Sequence, residues 1–157
     1  KSLLDEMLLA ANLAPSWKNS QTPRFYVATG EKSKNAVREA LPEFNRKNSE
    51  NASAYIVTTV VLNRSGFDKN GTAVTEIGNG WGYYDLGLNN MALLLKATEL
   101  GISTLVMGIR DGEKLRKEFD IPETEAVVSV IAVGYTDSEI VRPKRKSVED
   151  FAKFYED

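Results

Sequence analysis

A chain of 157 residues and 17.4 kDa, 42% hydrophobic and 27% charged, has the size and composition of one ordinary domain and is neither a disordered nor a collagen-like polymer. Its 20 Lys and Arg against 22 Asp and Glu leave a net charge of −2, which argues against nucleic acid or an anionic membrane as the main partner. Cysteine and histidine are both absent, so disulfides, thiolate or imidazole metal sites, the Ser-His-Asp triad and the Cys-His dyad are excluded.

If the chain is an enzyme, a borrowed cofactor is the natural agent of its chemistry. No run of 18 apolar residues and no secretory segment is present, and zero Cys is compatible with a cytoplasmic location. The first residue is Lys1 rather than Met, which leads us to expect that an N-terminal piece is missing. We expect one domain over residues 1–157.

In residues 2–13, Leu3, Leu4, Met7, Leu8 and Ala11 recur at helical spacing, with Ser2 as the expected cap and Pro15 as the stop. A polar loop follows, and RFYVAT (residues 24–29) reads as a short strand ending at Gly30. Residues 32–41 are good helix formers that stop before Pro42. The polar stretch 42–53 reads as irregular. AYIVTTVVL (residues 54–62) is so uniformly apolar or β-branched that both faces of the strand should be covered. Residues 63–80, with Gly66, Asn70, Gly71 and Gly78, form a loop in this reading.

The longest helix candidate is WGYYDLGLNNMALLLKATEL (residues 81–100). It is apolar nearly all round, as expected of a helix in a core or an oligomer interface, and Gly101 ends it. A strand over 103–107, a helix over 111–119 capped by Asp111, and a second buried strand over 125–135 follow. Ser147 and Asp150 form a capping-box pair at the start of a last helix, VEDFAKFYE. Helices and strands interleave, which predicts an α+β or α/β domain with one central sheet.

Several residue groups could carry chemistry. Arg142, Lys144, Arg145 and Lys146 can neutralise a phosphate, or can form a solvated tail. Ser16, Asn19, Ser20 and Gln21 are donors and acceptors suited to a heterocycle's edge, though turns are rich in the same residues. Asn45 and Asn48 could serve a ligand or merely satisfy loop backbone. Trp17 and Trp81 could stack on a ligand or be buried. Met107-Gly108 follows a strand, where glycine admits close approach of a ligand or simply makes a turn. Asp85 lies inside the apolar helix and needs a partner if buried; a cap or salt bridge at the helix start is the expected role.

Four segments in order resemble the FMN-dependent nitroreductase family. LAPSWKNSQTPRFYVAT (residues 13–29) resembles the family's APSxxNxQPWRFxVV. FNRKNSENAS (residues 44–53) precedes a strand as the corresponding family segment does. YYDLGLNNMALLLKATELGISTLVMGI (residues 83–109) resembles DxGxAxxNLxLxAxxLGLGTxWxGG. VVSVIAVGY followed by RPKRKSVEDF (residues 127–151) resembles ALIALGYP…RKPLEE.

The resemblance implies an α+β fold, with a mostly antiparallel central sheet flanked by helices, built as an intertwined homodimer with FMN at the interface. It places Pro15, Ser16, Trp17 and Asn19 against the flavin of the partner chain. It places Asn45 at the flavin edge, Val106, Met107, Gly108 and Ile109 against the ring, and Lys144, Arg145 and Lys146 at the phosphate. It implies an NAD(P)H oxidoreductase that reduces nitroaromatics, quinones or similar electron-poor substrates in a ping-pong cycle. A flavin-binding relative without turnover is the alternative. This chain departs from the pattern in four places. The family's RRSxRxF segment would lie before Lys1, Thr22-Pro23 replaces Pro-Trp, Val106 replaces a Trp, and Asn48 stands where a Lys is frequent.

Overall fold

The computed structural model describes residues 1–156. The chain runs α1 (Ser2–Asn12), a 3-10 turn (Trp17–Asn19), β1 (Pro23–Ala28), α2 (Glu31–Glu39), α3 (Glu43–Asn48) and β2 (Ala54–Val61). It continues through α4 (Gly80–Glu99), β3 (Ser103–Met107), α5 (Gly112–Glu118), β4 (Glu125–Gly134) and α6 (Val148–Phe151). The four strands form one sheet in the order β1-β2-β4-β3, and every neighbouring pair is antiparallel. The fold is therefore α+β, with β1 and β3 as the sheet's two edges.

The two inner strands explain why their sequences are so apolar. Alternate residues of β2 and β4 point to opposite faces, and each face has its own helical cover. Tyr55, Val57, Val130 and Ala132 pack with Val37 of α2 and Leu115 of α5. Ala54, Ile56, Ile131 and Val133 pack with Met7 and Ala11 of α1 and Leu93 and Ala97 of α4. Ile56 and Leu93 are fully buried, and each such side chain contributes about 1.5–3 kcal/mol of burial energy. Between Thr58 and Thr59 the register of β2 on β4 slips by one residue, a bulge that leaves Val128 of β4 without a partner on β2.

Several expectations hold and several need correction. Asp111 caps α5 through the Lys114 N–H, Gly101 ends α4 at a φ of 70°, and the Ser147–Asp150 capping box is present. Ser2, however, is already helical, and Lys1 holds the cap position without a side-chain bond. The polar stretch 42–53 is not wholly irregular: Pro42 opens the short helix α3, its fixed φ suiting a helix start. The last helix stops after four residues, at Phe151; Phe151, Phe154 and Tyr155 are all exposed, so this short turn gains little from packing.

The long helix is enclosed on one side only, so of the two expected settings the single chain's core accounts for half of its apolar surface at most. Gly82, Leu86, Leu93 and Ala97 are buried on the sheet and α1, while Tyr83, Tyr84, Met91 and Leu95 face outward. No helix among the described residues is long and apolar enough to cross a membrane.

Candidate functional site

The Pro15–Asn19 segment leaves α1 and turns through backbone angles that few residues adopt. Lys18, Asn19 and Gln21 have φ of 45°, 54° and 49°. Non-glycine residues in that left-handed region cost about 1–2 kcal/mol each, so other contacts must hold the loop. The contacts are visible. Asp85, 2% exposed in α4, accepts the Trp17 N–H with both carboxylate oxygens at 3.1 Å. Its Oδ2 also accepts the Ser65 hydroxyl at 2.5 Å. Ser16 Oγ accepts the Gln21 N–H at 3.0 Å and closes the loop on itself.

The two tryptophans stack on each other. Trp17 and Trp81 rings lie 4.6 Å apart at 45°, and the Trp81 ring meets Tyr84 edge-on at 5.8 Å. Gly82 makes this approach of α4 possible, because a Cβ there would sit 2.8 Å from Val60 Cγ2. The expected role of Asp85 as a cap or salt bridge is thus corrected. It is a buried carboxylate satisfied by hydrogen bonds to a distant loop, with no cation in ion-pair range among the described residues.

The second group of residues gathers at the far edge of the sheet. β3 ends with Met107 buried beneath the sheet's helical cover, while Val106, Gly108 and Ile109 are exposed. Asn45 of α3 donates from Nδ2 to the Ile109 carbonyl at 3.1 Å, so this amide ties α3 to the strand end rather than serving its own loop. Arg110 pins the same turn by donating to the Gly108 carbonyl at 3.2 Å and to the Val127 carbonyl. A Cβ on Gly108 would meet nothing within 4 Å, which leaves its surface open to a flat group.

Register shows how the two groups relate. Pro23 opens β1 opposite Val60, and Val60 lies opposite Ala126 of β4. Arg110, next to Ile109, bonds to Val127, the neighbour of Ala126. Both groups therefore lie at the same end of the sheet, on opposite edges, separated by three strand spacings or roughly 14 Å. Asn45, Val106, Met107, Gly108 and Ile109 come together in one chain; Pro15, Ser16, Trp17 and Asn19 form a separate patch. Lys144, Arg145 and Lys146 join neither. They lie exposed in the tail after β4 and make no ion pair among the described residues.

Sequence reasoning flagged Asp85 without its partners and missed two further residues that shape these patches, Ser65 and Arg110. Asp85 carried a signal, a carboxylate in an apolar helix, but its partners are 68 and 20 positions away. Ser65 and Arg110 carried none; one is a loop serine, the other a cation after a strand.

The sheet order and its helical covers define an α+β domain of the nitroreductase type. The model of the nitroreductase family matches residues 1–135, and the chain belongs to that family. A nitroreductase family protein from Streptococcus pneumoniae TIGR4 is similar in structure at a TM-score of 0.82 and 20% identity, covering 98% of this chain and 89% of that one. A structure described as an oxidoreductase containing FMN is similar at 0.74 and 25% identity, over 88% of this chain and 68% of that one. A protein from Parabacteroides distasonis ATCC 8503, provisionally named an NADH dehydrogenase/NAD(P)H nitroreductase, is similar at 0.75 and 22% identity, over 98% and 84%. No curated protein was found to match the chain.

Proposed function

We propose that this protein is an FMN-dependent oxidoreductase that takes electrons from NAD(P)H and passes them to nitroaromatics, quinones or similarly electron-poor substrates in a ping-pong cycle. The observation that carries this reading is the division of the expected flavin residues into two patches at one end of the sheet. Neither patch alone can enclose a three-ring heterocycle, but two copies of the chain can bring one patch of each together.

The exposed apolar surface supports a second copy. Tyr84, Met91 and Leu95 of α4 lie outward, as do Leu9 and Leu13 of α1. In the tail, Ile140, Val141, Phe151, Phe154 and Tyr155 are exposed as well. So much apolar surface on one chain marks an interaction site. We therefore read the protein as a homodimer with its sites between the chains.

The residues present fit FMN. Gly108 leaves room for a flat ring against the backbone. Asn45, fixed through its Nδ2, keeps its Oδ1 for a ring N–H. Asn19 and Gln21 are exposed polar groups on the rigid loop. Lys144, Arg145 and Lys146 are cations without carboxylate partners among the described residues, suited to a phosphate dianion. Bound FMN would supply the hydride-accepting and hydride-donating centre, which protein side chains do not provide. The protein's part is to hold the ring, to set its hydrogen bonds, and to leave one face free for the donor and then the acceptor.

The test is direct. Purified protein should be yellow or take up FMN stoichiometrically, and NADH or NADPH should bleach the flavin band until a quinone or nitroaromatic restores it. Colourless protein that binds no added FMN overturns the reading.

A further inference from the structure

Resting on the flavin reading above, we infer that Asp85 is a positioning residue, a buried carboxylate that clamps the residue 16–21 loop in the shape that meets the flavin. It does not itself face the patch, since it is 2% exposed and its acceptor sites are directed at Trp17 and Ser65.

Three observations converge. First, the loop is strained: three of its non-glycine residues sit at positive φ within four positions. Such backbone persists only where its surroundings over-determine it. Second, the clamp is strong for its size. Hydrogen bonds to a carboxylate are about twice as strong as neutral ones, and this carboxylate has no competing cation among the described residues. Third, the clamp is built to be short. Gly82, one turn before Asp85, lets α4 close on β2, and Trp81, four residues before Asp85, holds the Trp17 ring from the same side of the helix.

A connection between a helix and a strand needs none of this. A hydrophobic residue at position 85 would pack under a relaxed loop without the cost of burying a carboxylate. What the carboxylate adds is a fixed Trp17 backbone, and with it fixed positions for Ser16 and Asn19, the residues expected at the flavin. The loop is therefore set before any ligand arrives, and the flavin meets it without an ordering cost.

Asp85→Asn in the full chain tests this. The amide keeps the size of the carboxylate but turns one acceptor into a donor aimed at donors. Trp17 and Trp81 are the chain's only two tryptophans, so the exciton couplet of their indoles in the far-ultraviolet circular dichroism reports the loop with or without flavin. Asp85→Asn should lose that couplet and raise the FMN dissociation constant at least about tenfold, while kcat at saturating FMN stays within about twofold of the parent. Ser65→Ala, which leaves the Trp17 bond in place, should shift both quantities in the same direction, by about two- to threefold in affinity; if Asp85→Asn does not fold, this variant decides. An Asp85→Asn protein that keeps its couplet, or loses it yet holds FMN as tightly as the parent, overturns the inference. So does a Ser65→Ala protein that, standing alone, matches the parent in both. Failure of the parent itself to bind FMN overturns the flavin reading instead, and the couplet still reports whether Asp85 holds the loop.

Discussion

Asp85 and Glu125 are both buried carboxylates, and neither pairs with a cation among the described residues, yet they do different work. Glu125 accepts the Tyr26 hydroxyl at 2.9 Å and the Thr59 hydroxyl at 2.5 Å, so it joins β1, β2 and β4 inside the sheet. Asp85 reaches outside the sheet and joins α4 to a strained loop. The contrast separates a carboxylate that holds the scaffold from one that holds a loop, the loop proposed to meet the flavin. A buried charge is costly in either place. Which property it supports follows from the elements its hydrogen bonds connect, not from its burial.

The largest expected effect breaks the scaffold side. Glu125→Ala leaves the buried Thr59 hydroxyl and the half-buried Tyr26 hydroxyl without their acceptor and should lower unfolding stability by roughly 3–4 kcal/mol. Where the protein remains folded, FMN affinity should be unchanged. Denaturant unfolding together with flavin titration checks this, and a large loss of affinity would erase the distinction from Asp85.

Next is the tail. Arg145→Ala with Lys146→Ala should weaken FMN binding by roughly 2–4 kcal/mol, the scale of charge-assisted contacts to phosphate. These residues are exposed, so the thermal midpoint of the flavin-free protein should not move. An unchanged titration would mark the cluster as a solvated tail.

Gly82→Ala acts on the Asp85 side. Its Cβ would meet Val60 of β2 at 2.8 Å, and pushing α4 outward should cost about 1–3 kcal/mol. The same shift should weaken the tryptophan couplet, because Trp81 and Asp85 move with the helix.

Asn45→Ala removes one hydrogen bond, to the Ile109 carbonyl, and should cost about 1 kcal/mol of flavin affinity. A shift in the flavin's reduction potential should accompany it, measured against a reference dye. No shift would take Asn45 out of the site.

The smallest effect is a pH dependence. Burial, and then the Glu125 carboxylate to which it donates, raise the Tyr26 phenol from its ordinary 10 to about 12. The folded chain keeps this proton after the unfolded chain has lost it. Stability from this pair is therefore complete below pH 10 and is lost as pH rises from 10 toward 12. Thermal midpoints across that range should fall less steeply in Tyr26→Phe than in the parent.

Much of this was legible in the chain itself. The unbroken apolar run of β2 announced a strand covered on both faces, and its alternate residues do enter two different clusters. Asp111, Gly101 and the Ser147–Asp150 pair marked helix ends because capping is local, decided within three or four residues. The stretch 42–53 was misread for the same reason in reverse. α3 has no residue in either core cluster, so hydrophobic periodicity had nothing to report.

The order of motifs along the chain determined the family. Local propensity and alternation determined where strands and helices lie, since neighbouring residues share those forces. Only the tertiary structure decided that Asn45 meets Ile109, that the named residues fall on two opposite sheet edges, and that Asp85 grips a loop 68 residues away. Those outcomes depend on strand order and helix approach, which arise from the packing of the whole chain at once and leave no mark on any single stretch of it.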